Sequence, residues 1–357
     1  MKHEEILAWI KEDGPAKLEE LWARADEVRR LRVGDAVHLR GLLEISNNCV
    51  RHCGYCGVSL NNPNLTRYRM TGQDIMACVR QAETLGYGTV VLQAGEDYGL
   101  TREFIAALVR DITSQTPLAV TLSLGERPEA DLEAWREAGA SRYLLRFETS
   151  DPDLYGRIHP SLPGRPSDRL ALLARLRELG YETGSGVMIG IPGQTYESLA
   201  RDIQLFGELD LDMIGVGPFI AHPHTPMGKS AWTAPPGEQV PATEDMTYKV
   251  LALSRLVCPE ANIPATTALA TLNRASGREQ GLRRGANVIM PNLTPPQYRV
   301  LYDIYPSKAC IHETAVECGD CLRQRIEALG RTVALGPGSR SRRQSGTEAE
   351  FGETPTP

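Results

Sequence analysis

The sequence predicts an α/β fold in which parallel strands and their covering helices close into a (β/α)8 barrel of the TIM type. From residue 39 onward, apolar runs of strand length alternate with amphipathic helical patterns for about 250 residues, the usual length of such a barrel. Eight of these runs can be counted, and eight units favour a closed barrel over an open sheet. The 357 residues are 41% hydrophobic and 24% charged, which is typical of a globular protein.

Residues 1–34 are predicted to form a helical segment that precedes the barrel. Apolar residues recur at helical spacing between residues 4 and 32, and Gly14-Pro15 interrupts the pattern. Because a Gly-Pro pair ends a helix, we expect two helices that cover an end of the molecule.

Residues 35–330 are predicted to form the barrel domain. Its helices are expected to start at threonines such as Thr71 and Thr101 and to end at glycines such as Gly139. The connection over residues 219–242 is long and rich in proline, as functional or mobile loops often are. The strands are predicted over residues 41–46, 88–94, 118–124, 141–147, 183–190, 212–218, 262–267 and 286–291, and the helices over residues 71–85, 101–115, 129–138, 167–179, 195–209, 243–257 and 272–282.

The last segment, residues 331–357, is predicted to be disordered, because it contains almost no large apolar residue that could be buried. Its arginines, Arg340, Arg342 and Arg343, form a local basic patch. We expect this patch to be solvated.

Charge and hydropathy limit the functional classes. Lysine and arginine number 39 against 45 acidic residues, a net charge of −6, so a nucleic-acid partner is not expected. The N-terminus lacks the apolar core of a secretory signal, and no apolar run is long enough to cross a membrane. We therefore expect a cytoplasmic protein with a small-molecule partner.

The cysteines carry the strongest chemical signal. Most of the 8 cysteines are clustered, which in a reducing cytosol indicates metal or redox sites. Cys49, Cys53 and Cys56 follow the first predicted strand in a CxxxCxxC pattern, on the face where barrel enzymes place their active sites. Three thiolates suit a four-iron cluster with one open iron, whereas a closed zinc site needs four ligands. His52 could supply that fourth ligand, so zinc remains an alternative.

Chemically suitable residues also follow two later strands. Glu148 ends the fourth strand, and Arg169 begins the next helix. A carboxylate and a guanidinium could together hold a zwitterionic amino acid, with a surface ion pair as the alternative. The fifth strand runs into glycines over residues 186–193, where the backbone could approach a flat ring closely.

The cysteine pattern, with Tyr55 directly before its last cysteine, resembles the signature of radical S-adenosylmethionine (SAM) enzymes. The resemblance implies a 4Fe-4S cluster whose open iron binds the amino and carboxylate groups of SAM. In that superfamily an electron from the cluster breaks the sulfonium bond and yields a 5′-deoxyadenosyl radical. Gly95-Glu96 matches the position that binds the methionine amine, an ordinary turn being the alternative, and the glycines after the fifth strand match the adenine side.

A narrower resemblance covers about residues 35–330. The segments RGLLEISNNC, VLQAGED, RYLLRFET, ELGYETGSGVMIGIPGQT and GANVIMPNLTP are similar to the FeFe-hydrogenase maturase family HydE, a relative of biotin synthase. The resemblance implies a role in assembling the diiron site of hydrogenase, on an organometallic substrate in which one iron carries cyanide, carbon monoxide and cysteine. It also implies partners, namely other hydrogenase maturases and an electron donor such as ferredoxin or flavodoxin.

The same resemblance assigns roles to individual residues. The cluster ligands would be Cys49, Cys53 and Cys56; the SAM-binding residues would be Tyr55, Glu96, Ser123, Glu148, Arg169 and Met188; and the catalytic cavity would be lined by Thr121, Arg146, Met213, Thr266, Thr267, Tyr298 and Tyr305. Cys310, Cys318 and Cys321 match a second iron-sulfur cluster of some family members, either 2Fe-2S or 4Fe-4S, with zinc or free thiols as alternatives. Cys78 and Cys258 lie alone in helical patterns and are expected in the core.

The chain departs from the family pattern at a few positions. Phe147 stands where family members have a histidine, Ala94 where they have a serine, and Ser59-Leu60 where they have basic residues. None of these changes removes a cluster ligand, but they could alter substrate entry. Two other functions therefore remain open: another radical enzyme of the biotin synthase group, such as a methylornithine synthase, and a non-catalytic zinc-binding protein.

Overall fold

A computed structural model describes residues 1–229 and 234–340 of the chain. The strands are β1 (Ala36–Ser46), β2 (Thr89–Ala94), β3 (Ala119–Ser123), β4 (Arg142–Leu144), β5 (Glu182–Ser185), β6 (Met188–Ile189), β7 (Met213–Ile214), β8 (Gly217–Pro218), β9 (Val288–Ile289) and β10 (Thr332–Val333). The helices are α1 (His3–Lys11), α2 (Pro15–Val33), α3 (Gly72–Thr84), α4 (Arg102–Gln115), α5 (Glu129–Glu137), α6 (Pro152–Ile158), α7 (Arg169–Glu178), α8 (Tyr196–Glu208), α9 (Pro226–Lys229), α10 (Glu244–Val257), α11 (Thr267–Leu272), α12 (Gly277–Arg283), α13 (Pro296–Arg299) and α14 (Ala315–Ala328).

The parallel strands form the predicted closed barrel. Strands β1, β2, β3, β4, β5 and β7 are neighbours in that order, and β9 pairs with β1 on its other side. The ring closes between β7 and β9 through two parallel bridges, Met213 with Asn262 and Pro264 with Val288. The strand predicted over residues 262–267 thus contributes single bridges and no regular strand.

Glycines divide two of the predicted strands. Residues 183–190 form β5 and β6, and residues 212–218 form β7 and β8. At the break, a Cβ atom on Gly186 would lie only 1.9 Å from the carbonyl oxygen of Gly215. The two backbones therefore approach more closely there than a regular pair of strands with side chains would allow.

The N-terminal helices pack on the outer layer of the barrel. Helix α1 packs on α8 and helix α2 packs on α10, so the two helices cover the side of the barrel. The expectation that they cover an end of the molecule was wrong. The break at Gly14 and Pro15 is confirmed, since Pro15 is the first residue of α2. Helix α10 consequently lies between two layers and is almost entirely buried.

One predicted helix is divided in two. Residues 272–282 do not form a single helix, because α11 ends at Leu272 and α12 begins at Gly277. A Cβ atom on Gly277 would lie 2.8 Å from the carbonyl oxygen of Leu269. The start of α12 is therefore packed directly against the backbone of α11.

Residues 332–340, the C-terminal strap, correct the prediction of a disordered tail from residue 331 onward. Strand β10 pairs with the first residues of β1, and the strap then crosses the amino-terminal end of the barrel. Arg142 donates a hydrogen bond to the carbonyl oxygen of Pro337 at 3.0 Å, and Arg340 binds Asp210 at 2.7 Å. Backbone hydrogen bonding, which composition does not reveal, holds this apolar-poor segment. Residues 341–357, including Arg342 and Arg343, lie outside the described residues.

No helix in the described part of the chain combines the length and apolar character needed to cross a bilayer.

Candidate active site

A cavity of about 360 Å³ lies inside the barrel. It extends from strand residues such as Arg40 and Val91 to loop residues beyond the carboxyl ends of the strands, such as Cys53. The sequence-predicted residues that line it are Cys49, Cys53, Tyr55, Cys56, Glu96, Thr121, Ser123, Arg146, Glu148, Arg169, Met188, Met213, Thr266, Thr267, Tyr305 and Cys310. The structure thus brings most of the predicted site residues to one cavity, while Tyr298, Cys318 and Cys321 are not among the residues that line it.

The cysteine loop, residues 49–57, follows β1 and is fixed by backbone contacts with other segments. The amide of Gly54 donates to the carbonyl of Ile158 at 2.8 Å, and the amide of Gly57 donates to the carbonyl of Ile304 at 3.0 Å. Gly95, at the end of β2, lets the loop approach, since a Cβ atom there would lie 2.2 Å from the carbonyl oxygen of Asn48. The position of the loop therefore depends on glycine at a neighbouring strand end.

The chemistry of the three thiols suits an iron-sulfur cluster. All are free cysteines, and soft sulfur donors are the ligands that such clusters require. Burial is the main cause that raises the pKa of Cys49 and that raises the pKa of Cys56 to about 12. Metal binding must therefore displace protons from these thiols. Among the described residues, no three histidine, cysteine or acidic side chains already converge as metal ligands. The loop thus offers the donors on one wall of the cavity without holding them around a common centre.

A buried ionic network adjoins the cysteine loop. Arg51 donates from Nε to Oε1 of Glu96 at 2.9 Å and forms an ion pair with Glu126, also at 2.9 Å. Glu126 in turn contacts Arg169 at 2.9 Å and His159 at 3.2 Å. Burial alone would raise the pKa of Glu126, but the hydrogen bond from His159 and the charge of Arg169 outweigh it and lower that pKa to about 2. Glu96 and Arg169 are therefore already engaged by protein partners.

Glu148 and Arg169, which were expected to hold a zwitterionic amino acid together, each lie beside another charged residue. Oε2 of Glu148 lies 3.2 Å from Nη2 of Arg146, whereas Arg169 pairs with Glu126. Glu148 has a φ of 66°, a conformation that costs energy in a residue with a side chain and that recurs at functional sites. The two facing atoms of the Arg146–Glu148 pair make no hydrogen bond, and Oγ1 of Thr121 is likewise buried without a partner.

Tyr298 does not line the cavity, which corrects its assignment. Its hydroxyl lies 3.3 Å from Oδ2 of Asp74, and its ring packs against Tyr68 with centroids 4.9 Å apart. Tyr302, one turn later in the chain, lines the cavity instead, and its hydroxyl accepts a hydrogen bond from Gln93 at 3.3 Å. The repeated tyrosines of YRVLYDIY carried a signal for this wall but did not show which of them faces inward.

Sequence reasoning missed the polar pair on the same wall of the cavity. Nζ of Lys308 lies 2.8 Å from Oε1 of Glu44, and both side chains are buried. Asn292 donates to the other carboxylate oxygen of Glu44 at 3.0 Å. A glutamate between the apolar residues Leu43 and Ile45, near the end of β1, was the available signal.

The remaining predicted residues differ in how much of their polar capacity is free. Oγ1 of Thr266 accepts from the amide of Leu269 and caps α11, so its hydroxyl has a structural partner. Sδ of Met213 lies 3.1 Å from the guanidinium of Arg40 at the lower end of the cavity. Phe147 points into the core, where it packs against Phe206, and therefore does not replace a histidine at the cavity surface.

The second group of cysteines is only partly assembled. Sγ of Cys310 accepts a hydrogen bond from Arg278 at 3.4 Å. The thiol of Cys318, in α14, also donates a hydrogen bond to Cys310. This hydrogen bond is the main cause that lowers the pKa of Cys310. Cys321 is exposed. Cys78 and Cys258 are buried core residues, as expected.

Comparisons with known proteins identify relatives of this chain. A model of the Radical SAM superfamily matches residues 43–206. The FeFe hydrogenase maturase subunit HydE of Thermotoga maritima is 46% identical over 324 residues, which cover 91% of this chain and 89% of that protein. The 3-methylornithine synthase of Methanosarcina acetivorans is 26% identical over 293 residues, 81% of this chain and 79% of that protein.

The fold is shared with solved structures. The crystal structure of methylornithine synthase (PylB) superposes with a TM-score of 0.78 at 22% identity, covering 93% of this chain and 94% of that one. The FeFe-hydrogenase maturase HydG superposes with a TM-score of 0.74 at 18% identity, covering 93% of this chain and 71% of that one. From the identity and coverage shared with the Thermotoga protein, the chain belongs to the HydE family of FeFe-hydrogenase maturases and is a radical SAM enzyme.

Proposed function

We propose that this enzyme acts in the assembly of the diiron site of FeFe hydrogenase, on a mononuclear iron species that carries cyanide, carbon monoxide and cysteine. The observation that carries the proposal is the 46% identity with the Thermotoga maturase along almost the whole of both chains. The cavity supports it, because it combines thiol donors with polar groups that have no protein partner.

Cys49, Cys53 and Cys56 would hold the 4Fe-4S cluster. When bound, the cluster supplies the electron that cleaves SAM to methionine and a 5′-deoxyadenosyl radical. Tyr55, Ser123, Glu148 and Met188 lie on the cavity wall and would contact the cofactor directly. Glu96 and Arg169, which are engaged by Arg51 and Glu126, would act mainly by fixing the walls of this part of the site.

The substrate would occupy the cavity between Arg146 and the strand residues below it. Unsatisfied buried polar groups cost free energy, and a ligand with acceptor and donor atoms would satisfy Nε of Arg146 and Oγ1 of Thr121. Met213, Thr267 and Tyr305 would complete this wall. A compact, polar iron complex fits this requirement better than an extended hydrocarbon.

A second cluster at Cys310, Cys318 and Cys321 is part of the proposal. It is supported by the contact between Cys310 and Cys318 and by the i, i+3 spacing of Cys318 and Cys321 on α14. Anaerobic reconstitution tests it: a variant with Cys318→Ala and Cys321→Ala should bind fewer irons than the wild type. Equal iron content in the two proteins would leave these cysteines as free thiols.

The function is tested by complementation. A strain that lacks its own HydE gene should regain active FeFe hydrogenase when this chain is expressed, and the Cys53→Ala variant should not restore it. In parallel, the purified enzyme is assayed for SAM cleavage. Cleavage without restored hydrogenase, together with formation of a rearranged amino acid, would instead favour a methylornithine synthase. Ferredoxin or flavodoxin as electron donor, and the other maturases as partners, are proposed on the same basis.

A further inference from the structure

His159 contacts the central cysteine of the cysteine loop. Its Nδ1 lies 3.0 Å from Sγ of Cys53, although the two residues are 106 positions apart in the chain. The ring is 1% exposed. His159 is not part of the cysteine motif, and nothing in the local sequence pattern singled it out.

The backbone and the ring of His159 are both fixed. His159 follows α6, and its amide donates to the carbonyl of Tyr155 at 2.8 Å. The preceding residue, Ile158, accepts a hydrogen bond from the amide of Gly54 inside the cysteine loop. The imidazole packs against the ring of Tyr155, with centroids 5.2 Å apart. The approach of Nδ1 to Cys53 is therefore set by two connected segments.

The other ring nitrogen determines what Nδ1 can do. Nε2 of His159 lies 3.1 Å from Nη2 of Arg169 and 3.2 Å from Oε1 of Glu126. A thiolate bound to iron has no proton and can only accept a hydrogen bond. With Cys53 as a cluster ligand, Nδ1 must therefore carry the proton. In the neutral ring Nε2 then accepts from the guanidinium of Arg169 and no longer donates to Glu126, as it does in the metal-free protein. Orientation of one ring nitrogen by the partner of the other is a common arrangement at metal sites.

We propose that His159 is a positioning residue that donates a hydrogen bond from Nδ1 to Sγ of Cys53 and thereby raises the reduction potential of the cluster. The inference rests on the proposed ligation by Cys49, Cys53 and Cys56. Hydrogen bonds to cluster sulfurs are among the factors that set the potential. The reduced cluster carries one more negative charge, so a donated hydrogen bond stabilises it more than the oxidised cluster.

Potentiometric titration followed by electron paramagnetic resonance tests the inference on the reconstituted full-length chain. In His159→Phe, which keeps a ring but loses the donor, the ratio of reduced to oxidised cluster at a fixed potential should fall about tenfold, equivalent to about 59 mV for one electron. His159→Asn, which retains an N–H donor, should recover part of the shift. Tyr155→Phe keeps the ring contact and removes only the hydroxyl bound to Ser167, so its potential should match the wild type.

A second measurement does not depend on the His159→Phe variant. Pulsed electron paramagnetic resonance of the reduced wild type with ¹⁵N-labelled histidine should show a nitrogen coupling, and His159→Asn should lose it. This readout decides the matter if His159→Phe does not fold. Equal potentials in all variants with no nitrogen coupling would overturn the role of His159 alone. Absence of a four-iron signal in the wild type would overturn the cysteine ligation and this inference with it.

Discussion

Individual side chains with unsatisfied polar atoms lie in the part of the cavity where we propose that a ligand binds. Arg146 and Glu148 face each other at 3.2 Å without a hydrogen bond, and Glu148 keeps a left-handed backbone conformation. Most buried polar groups in a protein are paired, as are both carboxylate oxygens of Glu96 nearby, which accept from Arg51 and from the amide of Glu126. From this contrast we infer that Arg146 and Glu148 contact a ligand and that Glu96 supports the wall of the cavity.

Replacing Glu148 with Gln should weaken SAM binding to the reconstituted enzyme. The change removes a buried charge with little change in shape, and loss of one charge-assisted hydrogen bond is worth about 1.5–3 kcal/mol, which is at least about tenfold in Kd. Isothermal titration calorimetry with SAM measures it. Tyr298→Phe, outside the cavity, is the matched control and should bind as the wild type does. Equal affinities for Glu148→Gln and the wild type would remove Glu148 from the cofactor site.

Glu126 should make the stability of the metal-free protein depend on pH. Its folded-state pKa of about 2 lies below its ordinary value of 4.5, so its stabilising effect is complete above pH 4.5 and disappears as the pH falls towards 2. Lowering the pKa of Glu126 from 4.5 to about 2 corresponds to about 3 kcal/mol in the free energy of unfolding.

Urea unfolding of Glu126→Gln should therefore show a loss on the order of 3 kcal/mol at neutral pH and a smaller loss at about pH 3.5. Glu133→Gln changes an exposed glutamate, whose side chain is 47% exposed, and should show little effect at either pH. A loss that is the same at both values would mean that the ionic network does not stabilise the fold through the charge of Glu126.

At the scale of elements, the barrel places the site by bringing strand ends and loops into close backbone contact. The helix starts were predictable, because Thr71, Thr101 and Thr195 cap α3, α4 and α8 through their own side chains. The breaks within the predicted strands were not, because Gly186 meets Gly215 from another strand. Local sequence pattern reveals a cap, whereas an approach between distant segments depends on the assembled fold.

Gly95→Ala should disrupt the cysteine loop. The new methyl group would lie 2.2 Å from the carbonyl oxygen of Asn48, and relief of such a clash in a packed region costs about 1–3 kcal/mol. We expect a lower unfolding midpoint and reduced iron content after reconstitution. Gly156→Ala, in α6 with no neighbour within 4 Å, is the control and should leave both quantities unchanged. A Gly95→Ala protein with full iron content would show that the loop can move without loss of the cluster.

At the scale of the whole molecule, the sequence predicted the closed barrel, and the cavity contains most of the residues expected there. The cysteine motif and its place after β1 sufficed to predict where the cavity residues gather, because both are features of the local sequence. Three features were beyond the sequence: the pairing of Arg169 with Glu126, the inward turn of Tyr302, and the C-terminal strap across the barrel. Each arises from a contact between distant parts of the chain.

The strap should contribute to the stability of the whole barrel. Arg40 and Asn262 both donate to the carbonyl oxygen of Gly338 at 3.0 Å, and Arg142 donates to that of Pro337. A chain that ends at residue 331 leaves these donors without partners and should lose at least about 3 kcal/mol relative to a chain that ends at residue 340. Thermal unfolding of the two chains measures the difference. Coinciding transitions would show that water satisfies the exposed donors equally well.

The strap also limits the routes by which ligands can reach the cavity. Gly338 of the strap is bound beneath Arg40, which is itself 4% exposed, so we expect ligands to enter and leave the cavity at the opposite end, past the cysteine loop. A ligand that binds deepest in the cavity would then have to bind first and dissociate last. We therefore expect a compulsory order of turnover. The substrate would bind before SAM, and its product would dissociate only after methionine and deoxyadenosine have left the mouth of the barrel.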